Sequence, residues 1–335
     1  MPPSRKPIDC MWKTSSEHRM APSYRQIDFR LRPSKHVERV MLCEAFRRLR
    51  FHVMEDYQYV GLGSVFFADF RMVHRHLGIS HMFSIEKQAH NCERFEWNKP
   101  YSGITMMFGE TEQRLSDVNF AAPTIIWLDY DGPLVMSVIR DIRNVAHAAS
   151  HGLVLVVTVN AHPRQPNDDG ADMLDQVRAE LGNERIPART DLTALRGWGL
   201  ADLYRRVGDS EIRDALSTAN GVRHSAERLD YEQLFNFQYD DGAKMATFGG
   251  VFFARNKRPE FEACAFDRLM FIRQGTDAFR IRAPKLTLRE VAHLERQLPL
   301  PEGTDLDFGP IPQSDAERYI ELYRYLPTFV PVDLM

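Results

Sequence analysis

The strongest constraint on the fold is a regular alternation of apolar, strand-like runs with helical stretches. The runs span residues 57–62, 81–85, 104–108, 124–128 and 153–159. Each run is almost continuously apolar, which is typical of strands that are buried on both faces, and crossover helices between parallel strands produce this alternation. The sequence therefore predicts an α/β fold with a doubly wound, mostly parallel sheet and helices on both faces.

The alternation stops after residue 159, and the rest of the chain divides into three parts. Residues 161–230 predict a mostly helical insertion, whereas 232–239 and 244–254 predict an antiparallel hairpin turning at Asp240-Asp241-Gly242. Beyond it, capping boxes at Thr287-Leu-Arg-Glu290 and Ser314-Asp-Ala-Glu317 predict two helices. We expect a flexible leader over 1–24, a main domain over 25–254 and a small C-terminal helical appendage over 255–335.

Composition limits the class of protein. The four cysteines have no C-x-x-C spacing, no secretory leader is recognisable, and no apolar stretch is long enough for a membrane-spanning helix. We expect a reduced, cytoplasmic protein without a zinc knuckle, a disulfide framework or a membrane partner. The first 50 residues carry 12 Lys/Arg against 5 Asp/Glu. This basic arm is interpreted as a solvated leader and helix, with nucleic acid as the alternative partner.

Polar residues follow each strand at the carboxyl edge, where open parallel sheets bind ligands. Gly61, Gly63 and Ser64 end the first strand and Glu86 ends the second. Position 66 is Phe, so the G-x-G-x-x-G fingerprint of a dinucleotide site is missing. Glu110 ends the third strand. Asp129, Asp131 and Asn160 end the fourth and fifth strands.

The ordered series V-G-L-G-S, S-I-E, G-E-T and W-L-D-Y-D-G, followed by an aromatic hairpin, resembles class I S-adenosylmethionine-dependent methyltransferases. The resemblance covers about residues 55–160 and 232–254 and implies a Rossmann-like, seven-stranded sheet of order 3-2-1-4-5-7-6. It also implies S-adenosylmethionine as cofactor, with its methionine part over Gly61, Gly63 and Ser64. Glu86 would hold the ribose hydroxyls and Glu110 would face the adenine. The chain departs from the family at position 59, where Tyr replaces an acid.

The same resemblance implies a reaction, O-methyl transfer to an unknown acceptor, with Asp129 facing the methyl group. Metal-dependent O-methyltransferases place a metal-binding acid there, so Asp129, Asp131 and Asn160 are the candidate ligands of Mg²⁺. Without a metal, Asp129 would act as general base if burial raises its pKa. Asp131 would bind metal, cap the next helix or have no chemical role, and we favour the cap.

Two other functions compete with this reading. The D-x-D-G pattern resembles haloacid-dehalogenase-like phosphatases, with Asp129 as nucleophile, Asp131 as acid/base, Thr158 binding phosphate, and Asp240 or Asp241 holding Mg²⁺. That motif normally ends the first strand of its fold, whereas three strands precede it here. The third alternative is a non-catalytic nucleotide-binding or partner-binding protein that keeps the fold. We favour the methyltransferase.

A charged segment precedes the sheet. Ser34 is placed to cap a helix, and Arg32, Lys35, Glu38 and Arg39 surround the start of that helix. We interpret these charges as solvating the helix start. The alternative is that the basic side chains close over a bound substrate or cofactor.

Overall fold

The computed structural model describes residues 32–165, 172–301 and 303–327. The predicted leader over 1–24 and the start of the main domain lie outside these ranges. Within them, no helix combines the length and the apolar composition that crossing a membrane requires. Cys43 and Cys264 are buried free thiols.

The predicted strands are confirmed to within a few residues. They are β1 (Gln58–Leu62), β2 (His81–Glu86), β3 (Ile104–Phe108), β4 (Thr124–Asp129), β5 (Val154–Asn160), β6 (Leu229–Asp240), β7 (Lys244–Ala254) and a further strand, β8 (Phe279–Ile281). Their spatial order is β3-β2-β1-β4-β5-β7-β6-β8. β1 to β5 pair in parallel, and β7 pairs antiparallel with both β5 and β6. The predicted order 3-2-1-4-5-7-6 is therefore confirmed.

The eighth strand corrects the prediction of a purely helical C-terminal segment. β8 pairs in parallel with the outer edge of β6, and its Phe279 and Ile281 are buried while Arg280 is exposed. Three residues are too few for an alternating pattern to be recognised in a sequence. The segment after the hairpin therefore extends the main sheet.

Ten helices of the described residues surround the sheet. They are α1 (Pro33–Phe46), α2 (Ala68–Leu77), α3 (Cys92–Asn98), α4 (Thr111–Leu115), α5 (Met136–Ala148), α6 (Met173–Leu181), α7 (Gly199–Val222), α8 (Arg258–Ala263), α9 (Leu288–Glu295) and α10 (Gln313–Leu322). The predicted helical character of the insertion is confirmed by α6 and α7. Two large apolar clusters cover the two faces of the sheet, as a doubly wound sheet requires.

Of the four helix caps predicted from the sequence, the structure confirms one and contradicts three. Thr287 and Glu290 form the predicted capping box of α9. The box at Ser314 is wrong because α10 already begins at Gln313 and has no side-chain cap. Asp131 does not cap α5, which begins five residues later, at Met136, and has no side-chain cap. Ser34 likewise lies inside the first turn of α1.

The start of α1 is capped from a distance. The Asp241 carboxylate, in the β6–β7 turn, accepts hydrogen bonds from the backbone N–H groups of Ser34 (3.2 Å) and Lys35 (2.9 Å). These N–H groups have no partner inside the helix, and a carboxylate there also interacts favourably with the helix dipole. The hairpin turn thus fixes where α1 begins and holds this helix against the carboxyl edge of the sheet.

Candidate active site

A cavity of about 710 Å³ lies at the carboxyl ends of β1 to β4. Six of the eight residues predicted for the site line it: Gly63, Ser64, Glu86, Glu110, Asp129 and Asp131. Gly61 and Asn160 do not line it. Asn160 ends β5, and its side-chain oxygen accepts the backbone N–H of His162 at 2.8 Å. Parallel strands bring their ends to one edge of a sheet, which is why sequence spacing locates most of these residues.

Gly61 and Gly63, at the end of β1, lie where a larger side chain would collide with neighbouring residues of the sheet. A Cβ atom at Gly63 would lie 2.7 Å from the hydroxyl oxygen of Ser84, and a Cβ at Gly61 would lie 3.0 Å from the ring of Tyr59. The Gly63 N–H also donates to the Ile85 carbonyl at 2.6 Å. Gly63 therefore lets the end of β1 approach β2 closely, and this approach forms one wall of the cavity. Tyr59, at the position of the family's acid, fills the space beside Gly61.

The two glutamates of the cavity differ in environment. Glu86, at the end of β2, accepts the backbone N–H of Gln88 at 2.8 Å, and burial raises its pKa although this hydrogen bond opposes the rise. Glu110 is mostly exposed, and its carboxylate lies 3.0 Å from the ammonium of the exposed Lys87. An exposed ion pair contributes little binding energy. Glu86 is therefore the better placed of the two to hold a ligand's hydroxyl groups.

Asp129 is the acid at the base of the cavity. Its Oδ1 atom lies 2.8 Å from the Nζ atom of Lys35, whose side chain is 2% exposed. Burial raises the pKa of Asp129 to about 6, and the ammonium of Lys35 opposes that rise. Burial alone would lower the pKa of Lys35, but Asp129 and Glu38 raise it above its ordinary value. The pair is therefore charged at neutral pH, and Asp129 is a carboxylate with unusual affinity for a proton.

Lys35 is held by a polar network that reaches across the sheet. Its Nζ atom lies 2.8 Å from Glu38 and 4.4 Å from the centre of the Trp127 ring. Glu38 accepts a hydrogen bond from the Thr247 hydroxyl, which lies 2.8 Å from that of Thr158. Thr158 in turn accepts the indole N–H of Trp127 at 2.9 Å. These contacts fix the orientation of the ammonium toward Asp129.

A second ion pair, between Arg39 of α1 and Asp69 of α2, also lines the cavity. Our interpretation of the charges on α1 as solvated is therefore wrong for Lys35, Glu38 and Arg39, which are all buried. The sequence did contain a signal, since the four consecutive apolar residues at positions 40–43 cover every side of α1. A helix that is apolar all round is buried, and charges on it need partners.

A further acid that the sequence analysis missed lies on α5. Asp141 lines the cavity, accepts the Tyr130 hydroxyl on Oδ2 at 2.6 Å, and has a pKa that burial raises to about 6. Its Oδ1 atom is buried and, among the described residues, has no hydrogen-bond partner, as is also true of the Ser84 hydroxyl. Buried polar atoms are normally paired, and since Asp141 lines the cavity, its Oδ1 atom marks a place where a ligand's polar group fits.

The cavity fits a nucleoside cofactor better than it fits a metal ion. Its volume is in the range that encloses a ligand of this size, and Glu86 and the unpaired Asp141 oxygen can accept hydroxyl and amino protons. The predicted Mg²⁺ ligands do not come together, because Asn160 is directed to His162 and Lys35 occupies Oδ1 of Asp129. In the described ranges, no three His, Cys, Asp or Glu side chains are arranged to hold a metal.

Sequence comparison places the chain in a family. A family described as "Putative O-methyltransferase" matches residues 27–334. The chain belongs to this family. Among curated proteins, no sequence matches it. Together with the strand order, family membership makes this a class I methyltransferase-like protein.

Solved structures with similar folds are distant. The mitomycin 7-O-methyltransferase MmcR is 14% identical, with a TM-score of 0.32, and 64% of this chain and 53% of that one are covered. An O-methyltransferase family protein from Burkholderia thailandensis is 12% identical (TM-score 0.33; 65% and 55% covered). The Podospora anserina methyltransferase PaMTH1, bound to SAH, is 9% identical (TM-score 0.34; 68% and 81% covered). The chain spans little more than half the length of the first two.

The geometry also bears on the phosphatase alternative. Thr158 is fully buried between Trp127 and Thr247, and it does not line the cavity. Asp240 and Asp241 lie in the hairpin turn, where Asp241 caps α1. The residues required to bind phosphate and Mg²⁺ beside Asp129 are therefore elsewhere, and the family membership agrees with methyl transfer.

Proposed function

We propose that the protein is an S-adenosylmethionine-dependent O-methyltransferase in which Asp129 is the general base. The observation that carries this proposal is the ion pair at the carboxyl end of β4 between the buried Lys35 and the half-buried Asp129, which lines the cavity. When bound, S-adenosylmethionine supplies a methyl group on a positively charged sulfur. The acceptor is a hydroxyl compound whose chemical class the family name leaves open.

Different residues of the cavity bind the cofactor and accept the proton. Glu86 accepts hydrogen bonds from ribose hydroxyls, and Asp141 offers Oδ1 to an amino group of the base. Lys35 donates to Oδ1 of Asp129, so Oδ2 is the oxygen available to the acceptor's hydroxyl proton. A base with a pKa near working pH is both ionised and able to take a proton, which favours this role.

Lys35 supplies the positive charge that a metal ion supplies in metal-dependent O-methyltransferases. Its ammonium stabilises the ionised form of Asp129 before the proton moves. The proposal is therefore that the Asp129 carboxylate, held in place by Lys35, takes the proton of the acceptor's hydroxyl, while the bound cofactor would supply the methyl group to the acceptor oxygen. Asp131 lines the cavity and is not assigned a step.

Calorimetry with S-adenosylhomocysteine tests the cofactor assignment. We expect the wild-type protein to bind it and Glu86→Ala to weaken binding about tenfold or more, because a charge-assisted hydrogen bond is lost. The matched control, Glu110→Ala, removes an exposed acid from the same cavity and should change the affinity less than about threefold. Absence of binding by the wild-type protein at millimolar ligand contradicts the proposal.

A further inference from the structure

A basic groove runs along the outer edge of the sheet, next to β8. Two adjoining cavities, of about 520 and 350 Å³, share the side chains of Arg280, Arg282 and Arg318. Arg32 and Lys285 also line the larger cavity, and Arg273 also lines the smaller. We call these six side chains the β8 basic groove. No motif in the sequence indicates it, because its residues come from four separate segments.

The positive charge of the groove is only partly neutralised by its own acids. Asp240, Asp241 and Glu321 are the acids lining the two cavities. Asp241 is already engaged with the start of α1 and lies 3.9 Å from Arg32, and Asp315, outside the two cavities, lies 3.4 Å from Arg318. Among the described residues, no carboxylate lies within 4 Å of Arg282 or Lys285, and Arg280 donates to the neutral Gln238 amide. A concave surface of this kind concentrates anions.

Position relates the groove to the proposed active site. Arg32, Pro33 and Ser34 line the groove, whereas Arg39 of the same helix lines the cavity of Asp129. Seven residues of α-helix span roughly 10 Å. The groove and the catalytic cavity therefore lie at the same edge of the sheet, separated along α1 by roughly that distance.

We propose that the β8 basic groove binds the phosphoryl group of a phosphorylated methyl acceptor. Arginine is suited to this task because its planar guanidinium donates two parallel hydrogen bonds to a phosphate. The two cavities, of about 520 and 350 Å³, are large enough to admit a phosphomonoester or a pyrophosphate. This assignment rests on the proposed methyltransferase activity, since it names the class of acceptor that reaches Asp129.

The test uses the full chain and pyrophosphate as the probe, measured by calorimetry at two salt concentrations. We expect binding that weakens with salt, and a loss of about tenfold or more in the double variant Arg280→Gln/Arg282→Gln, since two charged donors are removed. Arg289→Gln, an exposed arginine on α9 outside the groove, is the matched control and should bind like the wild type. Affinity for S-adenosylhomocysteine should be the same in all three proteins.

Two other outcomes with pyrophosphate or an oligonucleotide overturn the proposal for the groove, and a third concerns the methyltransferase proposal. Absence of pyrophosphate binding at millimolar concentration, or equal binding by the double variant, removes the groove as a phosphate site. Tight binding of a single-stranded oligonucleotide that pyrophosphate does not displace makes the surface a nucleic-acid interface instead. If S-adenosylhomocysteine alone fails to bind, the methyltransferase proposal falls while the groove's phosphate affinity still stands, so the two failures are distinguishable.

Discussion

At the scale of single residues, the chemistry depends on how Lys35 and Asp129 share their charge. A buried ion pair in which one partner is removed leaves an uncompensated charge, which is strongly unfavourable. Glu38 and the Trp127 ring add further stabilisation to the Lys35 ammonium. Substitutions at both residues should therefore change activity. We expect a substitution of Asp129 to lower kcat and a substitution of Lys35 to shift the pH dependence of kcat.

Asp129→Asn should lower kcat by about 10²–10⁴-fold, because the amide cannot accept the acceptor's proton. The variant keeps the shape of the side chain, so its affinity for S-adenosylhomocysteine should stay within a few-fold of the wild type. Asp131→Asn, two residues away and lining the same cavity, is the matched control and should retain most activity. Equal losses in both variants would argue against Asp129 as the base.

The pH dependence should identify the base. Asp129 acts when ionised, so kcat should rise with pH and level off above its pKa of about 6. The neutral Lys35→Met variant removes the cation that lowers this pKa, and its rising limb should move to higher pH. Rates measured from pH 5 to 9 test this sign. An unmoved limb in Lys35→Met would mean that another group controls the rate.

The acids at the strand ends were predictable, whereas their partners were not. Asp129, Glu86 and Glu110 follow apolar runs, and parallel strands bring such positions together whatever the surrounding helices do. Lys35, Asp69 and Asp141 depend on how α1, α2 and α5 pack against the sheet. Position at a strand end is not sufficient to predict a site residue. Asn160 ends a correctly predicted strand, yet its side chain accepts a hydrogen bond from the nearby His162 backbone and does not line the cavity.

At the scale of elements, α1 is held by the hairpin turn. Asp241→Ala should lower the free energy of unfolding by about 1 kcal/mol or somewhat more, because two N–H groups at the helix start lose their acceptor. Asp240→Ala, which loses only a hydrogen bond from Gly242 within the turn, should cost less. Urea denaturation of both variants measures the difference, and equal costs would contradict the capping role.

Long elements with a clear apolar pattern were predicted correctly, whereas short elements without one were missed. The apolar runs predicted the strands, and the order of seven of them, which the family resemblance implied, is confirmed. β8 is missed because three residues carry no period, and the helix cap at Ser314 is wrong because Pro312 precedes a helix that already begins at Gln313. Pairing with β6, which local sequence does not record, decides where β8 forms.

At the scale of the whole molecule, the proposal requires no divalent ion. Addition of excess EDTA should leave both the melting temperature and the methyl-transfer rate unchanged, because Lys35 provides the charge next to Asp129. Thermal scans and rate assays with and without the chelator check this. Loss of activity that Mg²⁺ restores would return Asp129 and Asp131 to the role of metal ligands.

The position of α1 has a consequence for biosynthesis. Lys35 meets Asp129 across 94 residues of chain, and Glu38 meets Thr247 across 209. The ribosome therefore synthesises α1 long before it synthesises the residues that pair with the charges of this helix. β7 must be translated before α1 can pack in its final position. We expect nascent chains that end before β7 to leave α1 undocked and to be inactive, so the catalytic centre is completed late in synthesis.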